Sequence, residues 1–595
     1  MFYNFTVRIS DVTGTTCLLK NKSATYVQLE LDRVYDPKRK FNIPKRTIIG
    51  KVCPDNPDFM YPNDKFMQRF PEFSLPEENN SSTRSCCLKI GSYLVIKKIF
   101  EEYGLTSMIR KQLNADAGLF MDLVSYLIVN EDNAGQYYPD YAFCHPLFSK
   151  SMRIFSDSTV SRLFRKINRD QSIGFLDDWN TDRDHRQRIY ISYDSTNKTC
   201  QAGELDLLEF GKPKNNKDLP IFNFAIAFDK DNKVPLFYEE YPGSINDVSQ
   251  VEFFMSKVRA YGYQHIGFVL DRGYFSEGNI RKMDKEGYQF VMMVKGCKPL
   301  VNSMIYSKKG MFEEDRKYYI APSKDLFGIT VVGKLFSDDK DRYFHLFYNS
   351  QRACKERLQL NDKLDKLQAN LNSLIGQFVE FGDIYKHYYD LYLDKNGHLV
   401  AFEEKREVTK RELSLCGYFA IITSERMSAS DAYFIYKGRD PSEKLFRSDK
   451  TFIGSRSMRI QSNESLHSKI WFEFVALIVR NRIYNLLKDE MIRLNVRKNY
   501  MTVPTAIKEL DKIEMVRRNG DLYRLDHAVT KTQRIILGSF GLSVDDVRNE
   551  AAKIAVILKK QNSVQQNDNI IDREDDYAET DFNSDDREED FESEI

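Results

Sequence analysis

The chain's 595 residues, 42% hydrophobic and 29% charged, can bury more than one core and exclude a wholly disordered or membrane-embedded polypeptide. The formal net charge of +1 hides a division: Asp572–Ile595 holds 13 acids against Arg573 and Arg587, a net −11, which leaves residues 1–571 at +12. Such a basic body suits a phosphate-rich partner, while nine scattered cysteines without a Cys-x-x-Cys pair argue against a disulfide scaffold or a structural zinc site.

Met1-Phe-Tyr-Asn-Phe-Thr-Val7 lacks the basic and apolar segments of a secretory signal, and the apolar run Ile470–Val479 is too short to span a bilayer, so a cytoplasmic protein is expected. Residues 1–75 alternate apolar and polar positions, as in Thr25-Tyr-Val-Gln-Leu-Glu-Leu31, and predict a small β-rich unit. Its basic turn, Asp36-Pro-Lys-Arg-Lys-Phe-Asn-Ile-Pro-Lys-Arg46, reads equally as a contact for DNA phosphates or as a solvated loop. After a polar linker, residues 85–180 turn helical, with broad apolar faces at 91–102 and 117–128. Ser156–Ile167 opens on capping residues and presents Arg162, Arg165 and Lys166, so it is either a recognition helix for the major groove or a basic surface helix.

Residues 185–311 read as strands at 188–193, 221–228, 235–241, 266–270 and 288–294, with a hairpin turn at Asp229–Asn232, a helix ending near Gly262 and another after Ser276. Asn246 and Asp247 are read as helix caps rather than metal ligands. This βββαβαβ order is that of an α/β, RNase H-like mixed sheet, in which the first and fourth strands are neighbours. The 171 residues between Asp271 and Glu443 exceed any loop. Residues 312–415 are read as a strand-rich insertion, with strands near 328–332, 343–348 and 398–402 and a long amphipathic helix, 352–378, in a packing role. Within 416–500, a strand at Gly417–Thr423 returns to the core, and a helix carrying Trp471, Phe472 and Phe474 flanks it. Residues 501–565 carry short helices. The acidic segment 566–595 cannot fold alone and is either a solubilising end or a mimic of DNA that competes for the basic surface.

Three carboxylates carry the functional reading. Asp194 closes the alternating run 188–193 and Asp271 closes the apolar run Ile266–Leu270. A carboxylate at a strand's C-terminal end points into the crevice where open α/β sheets bind ligands. Glu443 lies in Tyr436-Lys-Gly-Arg439-Asp-Pro-Ser-Glu443-Lys-Leu-Phe-Arg-Ser-Asp-Lys450, whose Tyr, Arg, Glu and Lys fall at helical intervals of 3, 4 and 7. Pro441 tells against an unbroken helix, and a helix starting near Asp440, with Pro441 in its first turn, resolves this. Each residue alone also fits a plainer role as a turn aspartate, a cap or part of a solvated face. Together they describe a divalent-metal site facing a polyanion.

Asp194-Ser-Thr196, Leu270-Asp-Arg-Gly-Tyr274 and the Tyr-x2-Arg-x3-Glu-x6-Lys spacing resemble the DDE transposases of bacterial insertion sequences, in particular the group defined by that last signature, over residues 150–500. The resemblance implies an RNase H-like catalytic core in which Asp194, Asp271 and Glu443 hold two Mg²⁺ ions, with Mn²⁺ able to substitute. It implies that Tyr436, Arg439 and Lys450 hold DNA phosphates. Double-stranded DNA as partner, a homodimer on paired ends, association with the bacterial nucleoid, and cleavage and strand transfer at transposon ends follow as expectations. Members that open ends through a DNA hairpin stack a base on a tryptophan of the insertion. Here Trp179 and Trp471 both lie outside it, so Tyr343, Phe344 or Tyr348 would have to substitute. A nuclease on the same fold without strand transfer, and an inactive DNA-binding regulator, are the alternatives.

Overall fold

The computed structural model describes residues 2–568, leaving out 4, 22–23, 38–39, 55, 72, 74–83, 201–204, 211–218, 246, 295–297, 322–324, 337–339, 440–444, 446–456, 459, 461, 498–500 and 518–521. Two units divide it, Met1–Thr83 and Arg84–Ile595.

In the first unit the alternating pattern becomes an antiparallel sheet of β1 (Val7–Arg8), β2 (Thr16–Lys20), β3 (Thr25–Asp36), β4 (Phe41–Cys53) and β5 (Asn56–Pro62), in the order β1-β5-β4-β3-β2. Val27, Leu29, Ile49 and Met60 bury one face beneath α1 (Asp64–Arg69), whose Phe66 is fully buried. Asn63 caps that helix by accepting from the Phe66 N–H at 3.1 Å.

The second unit begins with β6 (Cys87–Lys89) and the helices α2 (Gly91–Glu102), α3 (Leu105–Leu113), α4 (Ala117–Asn130), α5 (Tyr138–Cys144), α6 (Asp157–Lys166) and α7 (Arg169–Thr181). Their apolar faces enclose the long helix Asn463–Arg493. Phe120 of α4 stacks on Phe472 with ring centres 4.1 Å apart, and Trp179 and Trp471 are both fully buried. Ser156 caps α6, Val160 and Leu163 face inward, Arg162 and Arg165 stay exposed, and Lys166 pairs with Asp116 at 2.5 Å. The far end of the chain returns here: the short strand Glu514–Val516 pairs with β6. Gly91 passes so close to Leu510 that an added Cβ would stand 2.2 Å from its carbonyl oxygen, so glycine is required for the approach.

β7 (Ile189–Cys200), β8 (Ile221–Asp229), β9 (Val234–Pro242), α8 (Asp247–Ala260), β10 (Ile266–Leu270), α9 (Glu277–Lys285) and β11 (Gln289–Met293) follow the expected order. β10 lies parallel between β7 and β11, so the first and fourth strands are neighbours. The turn after β8 is built by Asp229, whose Oδ1 accepts from the N–H groups of Asp231 and Asn232 at 2.9 and 3.0 Å. One boundary differs from the sequence reading. β7 does not end before Asp194 but continues to Cys200, because β8 pairs with it as far as Thr199↔Ile221.

Beyond α10 (Lys298–Lys308) come β12 (Tyr319–Ala321), β13 (Leu326–Lys334) and β14 (Asp341–Asn349), then α11 (Ser350–Ser373), α12 (Asp383–Tyr388), the hairpin β15 (Tyr389–Leu393) and β16 (Leu399–Glu404), α13 (Arg406–Leu415) and β17 (Tyr418–Thr423). β13 and β14 join the central sheet through β17, giving the order β12-β13-β14-β17-β11-β10-β7-β8-β9. The stretch from α11 to β16 has a core of its own, in which Leu364 and Leu371 of the long amphipathic helix pack against Tyr388, Tyr389 and Leu399. The protein is thus mixed α/β, built on a large mixed sheet. Among the described residues no helix is long and apolar enough to cross a membrane.

Candidate active site

The ladder between β7 and β10 ends at Tyr193↔Leu270, so the next residues, Asp194 and Asp271, share a register position on neighbouring parallel strands. β10 stops there while β7 runs on, and a short strand, β18 (Ser457–Met458), rejoins that edge only at Thr199 and Cys200. The shorter strand thus ends beside a mid-strand Asp194, the position at which open α/β sheets carry a ligand crevice. Asp194 is half-buried, and its Oδ1 accepts from the Ser195 N–H at 2.9 Å.

A helix then reaches the same point. Ser428 caps α14 (Ala429–Lys437) by accepting from the Asp431 N–H at 3.0 Å. Ala429, Ala432, Tyr433 and Tyr436, spaced i, i+3, i+4 and i+7, form its buried stripe against Val269, Val291 and Ile421 of the sheet. That stripe carries Tyr436, 5% exposed, to the end of β10, where its hydroxyl donates to Asp271 Oδ1 at 3.2 Å. Arg439, two residues past the helix, sets Nη1 3.1 Å from the same oxygen and its guanidinium 5.2 Å from the centre of the Tyr436 ring. The Arg272 N–H donates to Oδ1 as well, at 2.7 Å. All three contacts converge on one oxygen, and among the described residues none is made to Oδ2.

Burial pushes the Asp271 carboxyl up, but the Arg439 charge and the hydrogen bonds from Arg272, Arg439 and Tyr436 outweigh it and hold the group below the usual carboxylate range. Asp271 is therefore held ionised, with one oxygen fixed by the protein and, among the described residues, no contact to the other. Oxygen donors of this kind fit a hard divalent cation.

The sequence reading places Tyr436 and Arg439 just before a helix starting near Asp440; Tyr436 instead lies within a preceding helix, and the one expected from Asp440 falls outside the described residues. α14 ends at Lys437, and Gly438 and the Asp440-Pro441 pair disfavour its continuation. Glu443 and Lys450 lie outside the described residues, as do Pro441, the expected cap Asn246 and the acidic tail; within 440–456 only Leu445 is described, helical and buried. Two of the three expected carboxylates are thus brought together, and among the described residues no three His, Cys, Asp or Glu side chains are grouped to hold a metal. Of the aromatics expected to replace an insertion tryptophan, Phe344 is fully buried and Tyr348 packs on Tyr418 at 4.9 Å. The exposed rings in the stretch from α11 to β16 are instead Phe378 and Tyr392. Sequence reasoning also missed Lys198, four residues after Asp194. It meets Glu473 of the helix Asn463–Arg493 at 2.5 Å, both side chains wholly buried, with its ammonium 4.4 Å from the centre of the Phe224 ring. Nothing local in the sequence signals a partner 275 residues away.

Residues 186–479, just under half of the chain, match the family model described as a transposase DDE domain. The matched stretch opens on β7, includes all six residues singled out above and closes within the helix Asn463–Arg493. The chain is an enzyme of the DDE transposase class, whose members work with divalent metal ions. No match to a curated protein was found. Among solved structures, a cryo-EM structure of a piggyBac transposase synaptic complex with hairpin DNA aligns over 71% of this chain and 76% of that one, at 8% identity and a TM-score of 0.33, too loose a superposition to carry an argument.

Proposed function

We propose that this transposase is of the insertion-sequence group with the Tyr-x2-Arg-x3-Glu-x6-Lys signature, that it cleaves DNA at the ends of its element and that it joins those ends to target DNA. The observation that carries the reading is the parallel pairing of β7 and β10, which sets Asp194 beside Asp271 at the mouth of the sheet. On this reading the sheet's central strands form an RNase H-like core, and Asp194, Asp271 and Glu443 would hold two Mg²⁺ ions. When bound, such ions activate the attacking oxygen and stabilise the leaving one in an in-line displacement. Tyr436 and Arg439 fix Asp271 by its other oxygen, so the ligand is oriented before DNA arrives. Arg439, whose guanidinium has five donors, serves a DNA phosphate as well, and Lys450 a second. In the first step a water oxygen bonds to phosphorus at the element end, and the 3′ oxygen leaves as a 3′-OH. In the second that hydroxyl attacks a target phosphodiester and displaces the target's own 3′ oxygen. Double-stranded DNA is the partner, engaged by a homodimer on paired ends.

Asp194→Ala, Asp271→Ala and Glu443→Ala are each expected to abolish Mg²⁺-dependent cleavage of a labelled duplex while gel-shift binding of that duplex persists. Retained cleavage in any of the three removes that residue from the site.

A further inference from the structure

In the first unit, β3 and β4 are far longer than their neighbours. β2 pairs with β3 only over Thr25–Leu29, and β5 with β4 only over Gly50–Cys53, yet the β3–β4 ladder continues outward to Asp36↔Phe41. Beyond Glu30 and Arg46 the pair therefore runs on as a two-stranded ribbon, flanked by no third strand among the described residues. At ~3.3 Å per residue the six residues of β3 and five of β4 beyond that pair extend roughly 20 Å from the sheet.

The ribbon's composition is unusual for an unsupported hairpin, which is marginal in water unless packed. Val34, Tyr35 and Phe41 are 56%, 58% and 54% exposed. The register places Val34, Ile43 and Phe41 on one face and Tyr35, Asn42, Arg33 and Pro44 on the other, so neither face is covered by the other's side chains. Residues 30–46 hold six Lys and Arg against three Asp and Glu. Glu30 accepts from Arg33 at 2.7 Å and lies 3.5 Å from Arg46, which leaves both guanidinium groups at the surface. Lys40 and Lys45 are exposed on the ribbon, and Lys38 and Arg39 lie outside the described residues.

We infer that this ribbon is a DNA-binding arm that lies in the major groove of duplex DNA. The inference rests on the functional reading above only in taking DNA as the partner. The major groove, ~12 Å wide, admits a two-stranded ribbon as readily as a helix. Lys40 and Lys45 meet the flanking phosphates, and Tyr35 and Asn42 face base edges. A second protein strand is the competing occupant, and the ribbon is built against it. Pro44 removes an N–H from β4, and the lysines along the strand further disfavour edge-to-edge pairing.

The test uses the full chain, with binding to a labelled duplex of arbitrary sequence followed by anisotropy at about 50 to 200 mM salt. In Lys40→Ala/Lys45→Ala the slope of log affinity against log salt is expected to fall by about two and low-salt affinity by about tenfold or more. In Tyr35→Ser/Phe41→Ser, affinity is expected to fall with the slope unchanged. Both pairs are exposed, and an unaltered melting temperature confirms folding. Unchanged affinity and slope in the lysine variant overturn the proposal. So does dissociation of an oligomer in the aromatic variant, by sedimentation, with DNA affinity intact, because the ribbon is then a contact between copies. Cleavage by Asp271→Ala, assayed alongside, reports separately on the catalytic reading: a lysine variant that binds like the parent while Asp271→Ala is inactive sinks the arm alone.

Discussion

Asp271 is oriented and kept ionised by the residues around it. Three donors fix Oδ1 and, among the described residues, none fixes Oδ2, so the carboxylate is oriented by groups that leave its second oxygen uncontested by them. The resemblance to known transposases assigns Tyr436 to DNA phosphate, but its hydroxyl is buried against Asp271. The two roles separate in Tyr436→Phe. A hydrogen bond to a charged group contributes roughly 1.5–3 kcal/mol, so cleavage should slow about 10- to 100-fold while DNA affinity stays within twofold. Losing one of the interactions that lower the Asp271 pKa should also move the acid limb of the cleavage–pH profile to higher pH. A variant that cuts normally but binds DNA weakly would restore the phosphate role.

At the scale of elements, the sequence was legible wherever the signal was local. The buried run 266–270, the turn at Asp229 and the helix after Ser276 appear where pattern and turn chemistry put them. Pairing partners were not legible in the same way. Alternation at 328–332 and 343–348 says that strands form, yet an identical pattern serves a separate insertion or the edge of the central sheet, and the structure chooses the sheet through β17. The end of β7 was misplaced for a similar reason. Its polar stretch Asp194-Ser-Thr-Asn-Lys198 resembles a loop, and only pairing with β8 keeps it extended. Lys198 then ties that stretch to the helix Asn463–Arg493 by a fully buried ion pair with Glu473. Removing one partner leaves a buried charge, a loss of roughly 3–5 kcal/mol, whereas replacing both with apolar groups is often neutral. Lys198→Met should therefore lower the melting temperature markedly, and Lys198→Met/Glu473→Leu should recover most of it. Equal loss in the single and double variants would show that the pair does not brace the strand.

Across the whole chain, charge and catalytic fold point to one partner. Residues 1–571 carry +12 and the final 24 residues −11, a basic balance that suits a polyanion and a tail that is either a solubilising end or a competitor for that partner. Truncation after Ile571 is expected to tighten binding to duplex DNA near 50 mM salt, with the difference from the full chain shrinking toward 200 mM as screening grows. Identical salt titrations for the two proteins would show the tail to be a bystander. Among the described residues the candidate site is two carboxylates, one tyrosine and one arginine beside the end of β10, in a domain that matches the transposase DDE model. The most direct measurement supplies purified protein with Mg²⁺, a labelled duplex bearing the element's own ends and a supercoiled plasmid, and looks for label joined to the plasmid. Joined product from the parent and none from Asp271→Ala is the predicted result; joined product from Asp271→Ala would contradict the account.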